Sequence, residues 1–181
     1  ATWGRDDRDP TRDRGDLLVF VHGYNNGLDD IAARQAQLAQ SLSQVGWKGC
    51  VLVFAWPCDD RALNYLEDRH DAKQSAMRLV TDGIALLAAP HRPRCTINVH
   101  LLGHSTGAYV IREAFDDADD VALDNSGWSV SQVAFVAADV SAGSLSATHA
   151  KSASLYRHCA RLTNYHSHHD GVLKLSNTKR V

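Results

Sequence analysis

The sequence predicts an α/β fold in three layers, with helices on both faces of a mostly parallel sheet. Three observations carry that expectation. Short apolar runs rich in β-branched residues alternate with segments of helical spacing, the pattern of strands buried on both faces. Polar residues suited to chemistry stand directly after those runs, at the carboxyl edge where open α/β sheets bind ligands. One run, Cys95 to Leu102, passes through Gly103-His104-Ser105-Thr106-Gly107 into a helix-forming segment, the strand, turn, helix context of a nucleophile turn.

Composition narrows the class further. With 181 residues, 44% of them hydrophobic, the chain can bury the core of a single domain. Its formal charge of -2 and the absence of a Lys/Arg run exclude a basic stripe for nucleic acid. No apolar stretch reaches membrane-spanning length, and the N-terminus lacks the basic-then-apolar layout of a signal peptide. A soluble protein is the expectation, with the compartment left open and the cytoplasm favoured over other locations. Cys50, Cys58, Cys95 and Cys159 have neither CxxC spacing nor the density of a disulfide scaffold, so buried or free thiols are expected.

Ala1 to Asp16 alternates Arg with Asp around Pro10 and Gly15 and reads as a weakly ordered polar leader, with the domain proper over 17–181. Leu17 to Val21 is the first buried strand, ended by His22-Gly23-Tyr24-Asn25-Asn26-Gly27. Asp29 or Asp30 is placed to cap a helix through Val45, with Ile31, Leu38, Leu42 and Val45 at helical spacing. Cys50 to Trp56 is the second strand, stopped by Pro57. A long amphipathic helix spans about residues 64–89, striped by Ala76, Leu79, Val80, Ile84 and Leu87, before Pro90 and Pro93. The third strand, Thr96 to Leu102, leads to the serine turn and a helix over 108–118. Val130 to Val136, a helix within 143–159, and Arg161 to His166 complete the alternation.

A serine hydroxyl is a poor nucleophile until a histidine accepts its proton and a carboxylate orients that histidine. The flanking glycines of Gly103-His104-Ser105-Thr106-Gly107 let the backbone turn sharply and expose the hydroxyl of Ser105. The developing oxyanion needs donors. The N–H of Thr106, directly after the serine, is one; the N–H of Tyr24, after the first strand, is the simplest second. Asp139 and Asp170 both follow strands and compete for the acid.

VFVHGYNN, AARQAQLA, FAWP, LLGHSTGAYVIR, AFVAADV and NYHSHHDGVLKLSN, in that order from Leu17 to the end, resemble a bacterial branch of the α/β-hydrolase superfamily described as esterases or lipases of unknown function. The resemblance implies an α/β-hydrolase core, a nucleophile at Ser105, an oxyanion loop at Gly23 and Tyr24, an acid after the last strand, and a histidine beyond it. The resemblance implies no particular substrate; the serine chemistry predicts hydrolysis of a small-molecule carboxylic ester through Ser105, with no cofactor. Chain order favours Asp170 over Asp139 as the acid. No histidine follows Asp170 in the sequence, so the last strand and helix that carry the base in this fold are not seen. The base then lies outside these residues, or His168 or His169 serves with Asp139 as its acid. His22 and His104 are expected to fix loops by hydrogen bonds.

Two other readings start from the same residues. A metal-dependent hydrolase would use His166, His168 and Asp170, but Gly171 stands where that ligand set would continue with a histidine. No metal is expected. A hydrolase fold used only as a binding surface would explain the missing histidine, and is opposed by the complete serine turn and oxyanion loop.

Overall fold

A computed structural model describes residues 4–5, 13–24, 26–57, 65–84, 95–120, 128–171 and 173. Its sheet contains β1 (Gly4–Arg5), β2 (Asp13–Val21), β3 (Cys50–Phe54), β4 (Cys95–His104), β5 (Gln132–Val136) and β6 (Leu162–Tyr165). Five strands run parallel in the order β3, β2, β4, β5, β6. Along β2, β4 occupies one side from Asp13 to Val21, while β3 and the short antiparallel β1 take separate stretches of the other. The helices are α1 (Leu28–Gln44), α2 (Tyr65–Arg78), α3 (Thr106–Asp120) and α4 (Ala150–His158), and α2 runs on into a π-helical segment, Leu79–Ile84. This is an α/β-hydrolase-like αβα sandwich.

Strand alternation decides which helix covers which face. Gly103 of β4 faces α3, since a Cβ there would lie 2.7 Å from the Cα of Ala108. Its neighbours Leu102 and His104 therefore face the other way, where they share a cleft with Arg34 and Leu38 of α1. On the α3 side, Val21, Leu101, Val110, Ile111, Ala114, Phe115, Val133, Phe135 and Leu155 form one core and are wholly or almost wholly buried. Phe115→Ala in this core is expected to cost about 3 to 5 kcal/mol of unfolding free energy. Urea titration would measure it; a loss below 1 kcal/mol would mean that α3 packs differently.

Several boundaries differ from the sequence reading, each for a local reason. β2 begins at Asp13, not Leu17, because backbone pairing with Cys95 to Asn98 does not depend on side-chain hydrophobicity. Asp16 adds side-chain bonds, its Oδ1 accepting from Asn98 Nδ2 at 3.0 Å and lying 3.2 Å from His100 Nε2. Thus part of the polar leader belongs to the sheet. Gly27, not Asp29 or Asp30, is the N-cap of α1, and makes no side-chain cap bond; the two aspartates fall in its first turn, where they favour the positive end of the helix dipole. Of the predicted α1 stripe only Ile31 is buried, and Val45 is 80% exposed. The stripe of the next helix does face the core, at Ala76 of α2 and at Leu79 and Val80 of the π-helical segment, whereas Leu87 lies outside the described residues. Cys50 and Cys159 are free thiols, and Cys58 falls outside the described residues.

Candidate active site

β4 stops at His104, α3 starts at Thr106, and Ser105 alone makes the corner with φ +53°. That left-handed conformation costs a non-glycine residue of order 1–3 kcal/mol and persists only where the surroundings impose it. The constraint comes from β5. Ser105 N–H donates to Val136 C=O at 3.0 Å, while Ser105 C=O accepts from Ala108 N–H at 3.1 Å and from Asp139 N–H at 3.0 Å. A second left-handed residue, Ala137 at φ +48°, turns the chain after β5, and its N–H donates to Tyr165 C=O on β6 at 2.9 Å. The ends of three parallel strands are thereby tied together around the serine.

The glycines are required by space. A Cβ on Gly107 would lie 2.1 Å from the carbonyl oxygen of Val21 and 2.6 Å from that of His22, so the first turn of α3 sits directly against the end of β2. A Cβ on Gly23 would lie 2.9 Å from Ser105 Cβ and 3.0 Å from His104 Nδ1. The loop after β2 and the serine turn are therefore in van der Waals contact at Gly23, the residue next to Tyr24. Thr106 is buried and is the first residue of α3. Its N–H belongs to the set of N-terminal donors that a helix leaves without an intrahelical partner, at the positive end of the dipole.

His22 is completely buried and stacks on Trp56, with ring centroids 5.4 Å apart and planes 8° from parallel. Its Nδ1 donates to Gly23 C=O at 2.8 Å, its Nε2 accepts from Trp56 N–H at 3.3 Å, and Trp56 Nε1 donates to His22 C=O at 2.9 Å. A carbonyl can only accept and a peptide N–H can only donate, so the ring is the neutral Nδ1–H tautomer. Asn26 Nδ2 adds donors to Gly23 C=O at 2.7 Å and Tyr24 C=O at 2.8 Å. His22 thus fixes its loop by hydrogen bonds as the sequence predicts. His104 does not: its Nδ1 is buried with no hydrogen-bond partner. Asn26 and Trp56 escaped sequence reading, although an Asn in a turn and a Trp at a strand end are signals that could have flagged them.

Burial holds the pKa of both His22 and His104 below 6.5, with the Arg34 charge a smaller cause in the same direction; Gly23 opposes it at His22 and Asp170 at His104. The sign of the linkage follows. The unfolded chain takes up these protons first as pH falls, so the stability from neutral burial is complete above pH 6.5 and is lost as pH falls through the lowered folded values. Thermal unfolding followed from pH 8 to pH 5 is expected to show the midpoint dropping below about pH 6.5. A flat profile would mean that neither ring is held neutral.

The two acids sit differently. Asp139 is 3% exposed and joined through its backbone to Ser105. Asp170 is half-buried; its Oδ1 accepts from Leu173 N–H at 3.0 Å, capping a helical turn, and its charge reaches His104. His166, His168 and His169 are exposed, the first two with rings edge to face at 5.3 Å. Among the described residues, no three of His, Cys, Asp and Glu gather closely enough to hold a metal ion, and no helix is long and apolar enough to cross a membrane. On the α1 face, Phe20, Arg34, Leu38, Leu102, His104 and Val136 line an open cleft of about 180 Å³.

A parallel sheet between helical layers, with a strained serine at the carboxyl edge, defines the class as an α/β hydrolase. Residues 6–180 match a family described as "Alpha/beta hydrolase of unknown function (DUF900)", and the chain belongs to that family. Comparison with curated proteins gives no match. Among solved structures, the phospholipase PlaB from Legionella pneumophila, in complex with thio-NAD, is similar over 68% of this chain and 25% of its own length, at 17% identity and TM-score 0.41. A hydrolase candidate from Agrobacterium vitis S4 is similar over 92% of this chain and 87% of its own, at 10% identity and TM-score 0.43. The chain spans about a quarter of the length of PlaB.

Proposed function

We propose that the protein is a serine hydrolase acting on carboxylic esters through an acyl-enzyme on Ser105. One observation carries this reading: Ser105 is a non-glycine residue at φ +53°, placed between a parallel strand and a helix N-terminus. Strain of that kind presents a side chain to a reacting centre. Ser105 Oγ attacks the ester carbonyl while its proton passes to a histidine, and the N–H groups of Thr106 and Tyr24 hold the oxyanion as the tetrahedral intermediate forms and collapses. The same histidine protonates the departing alkoxide. Water then attacks the acyl-enzyme in the reverse sequence and frees the acid. Asp170, after β6, is the acid favoured by chain order, and Asp139 is the alternative.

The base is the residue to be found. His168 and His169 are exposed, and the carboxylate of Asp170 bonds Leu173. On a short p-nitrophenyl ester, His168→Ala and His169→Ala are each expected to turn over within about twofold of wild type, the base coming from outside the described residues. A fall of about a hundredfold in either, the scale of general-base loss, would instead make that residue the base and Asp139 its partner. Labelling by a fluorophosphonate tests the serine itself; a folded protein left unlabelled at neutral to mildly alkaline pH would overturn the reading.

A further inference from the structure

We propose that Trp56 is a positioning residue for the oxyanion loop: its backbone N–H holds His22 in one tautomer while its indole anchors and stacks on the same residue, and together these fix the plane of the Gly23–Tyr24 peptide against Ser105. The inference rests on the serine-hydrolase reading for its catalytic meaning and on the loop's own hydrogen bonds for its geometry. A trans peptide is planar, with its C=O and N–H directed oppositely. Whatever holds the carbonyl of Gly23 therefore aims the N–H of Tyr24. Two donors hold that carbonyl, His22 Nδ1–H at 2.8 Å and Asn26 Nδ2–H at 2.7 Å, which between them occupy both lone pairs.

His22 can donate there only while its proton is on Nδ1. The backbone of Trp56 enforces this, because its peptide N–H points at Nε2 at 3.3 Å and leaves no place for a second imidazole proton. The indole then closes the pair from the other end, donating to His22 C=O at 2.9 Å, and covers the ring by stacking. Both residues are buried, His22 at 0% and Trp56 at 3% exposure, so no competing water reaches the pair. The chain path gives the lock its reach. Trp56 follows β3, His22 follows β2, and these strands are paired in register from Leu17 and Cys50 to Val21 and Phe54. The rigid sheet thus carries the position of β3 into the loop touching Ser105.

The test compares wild type, Trp56→Phe, His22→Ala and His22→Asn in the full chain, with kcat counted per site titrated by a fluorophosphonate. Trp56→Phe keeps an aromatic ring and the backbone N–H to Nε2 but removes the indole anchor on His22 C=O, so it tests the anchor; His22→Ala removes the ring that donates to Gly23 C=O, and Asn at position 22 restores an N–H near that of Nδ1. A misplacement of an oxyanion donor costs up to about a hundredfold. The expected result is a fall in kcat of about 10- to 100-fold for Trp56→Phe and His22→Ala, with KM within about twofold, and recovery of at least about tenfold by His22→Asn over His22→Ala. A purely structural pair would lower the number of titrated sites and leave kcat per site unchanged, which would overturn the proposal. The Tyr24 amide resonance supplies a readout free of turnover and is expected to shift in Trp56→Phe. If wild type neither labels nor hydrolyses, the serine-hydrolase reading fails; an unmoved Tyr24 amide would then overturn the lock itself, while a displaced one would sustain it as a loop-orienting device.

Discussion

Replacing Ser105 by alanine is expected to eliminate fluorophosphonate labelling and to lower ester turnover by at least about 10³-fold, the scale seen when a nucleophile that works as a unit with its base is removed. Replacement by glycine should be equally inactive but differ in stability, and the difference reads the turn directly. Ser105 occupies φ +53°, a region that costs an L-residue about 1–2 kcal/mol and glycine almost nothing. Alanine keeps that strain; glycine relieves it. Ser105→Gly is therefore expected to be more stable than Ser105→Ala by about 1 kcal/mol, after allowing for the greater freedom glycine has in the unfolded chain. Urea unfolding of the two inactive variants gives the comparison. Equal midpoints would mean that the serine is not held in the left-handed conformation, and the observation on which the functional reading rests would be lost. Retained labelling of Ser105→Ala would move the nucleophile elsewhere.

How much of this arrangement could be read from the residues depends on what type of force sets each part. β2, β3 and β4 announced themselves through the mainly apolar runs Leu17 to Val21, Cys50 to Phe54 and Thr96 to Leu102, because strands of a parallel sheet between helical layers bury most of their side chains, although Leu52 of the edge strand β3 is 41% exposed. The serine turn was equally legible, since a tight strand-to-helix corner needs small neighbours and Gly103 and Gly107 supply them. What depends on backbone hydrogen bonds left little trace. Asp13 to Asp16 join β2 despite their polarity, because the pairing with β4 uses only N–H and C=O groups. Ala137 was invisible for the same reason: nothing about an alanine predicts φ +48°, which is imposed by bonds to β6. His22 and His104 looked equivalent, each beside a functional motif. What separates them is that His22 pairs with Trp56, 34 positions away, while Nδ1 of His104 has no partner. Long-range partnership of that kind has no local signature.

A large stability effect is expected at Gly107, and its sign is the informative part. Inside a helix, glycine to alanine ordinarily stabilises by up to about 1 kcal/mol, because alanine loses less conformational freedom on folding. At Gly107 the added Cβ would stand 2.1 Å from the Val21 carbonyl oxygen, 2.6 Å from that of His22 and 2.7 Å from the Val21 carbonyl carbon. All three atoms are backbone of a central strand and its exit, so no side chain can rotate aside. α3 must retreat from β2, opening the core where Val21 and Ile111 are buried and drawing the N–H of Thr106 away from the loop at Gly23. Gly107→Ala is therefore expected to destabilise by more than about 3 kcal/mol, at or beyond the upper range for overpacking, and to cut kcat in whatever fraction stays folded. Gly143→Ala is the control: a Cβ there meets nothing within 4 Å, and a change within about 0.5 kcal/mol is expected. Urea titration of both variants separates the cases. Were Gly107→Ala as benign as Gly143→Ala, the helix could not be seated on β2 at this distance, and the Thr106 N–H would lose its place beside Ser105.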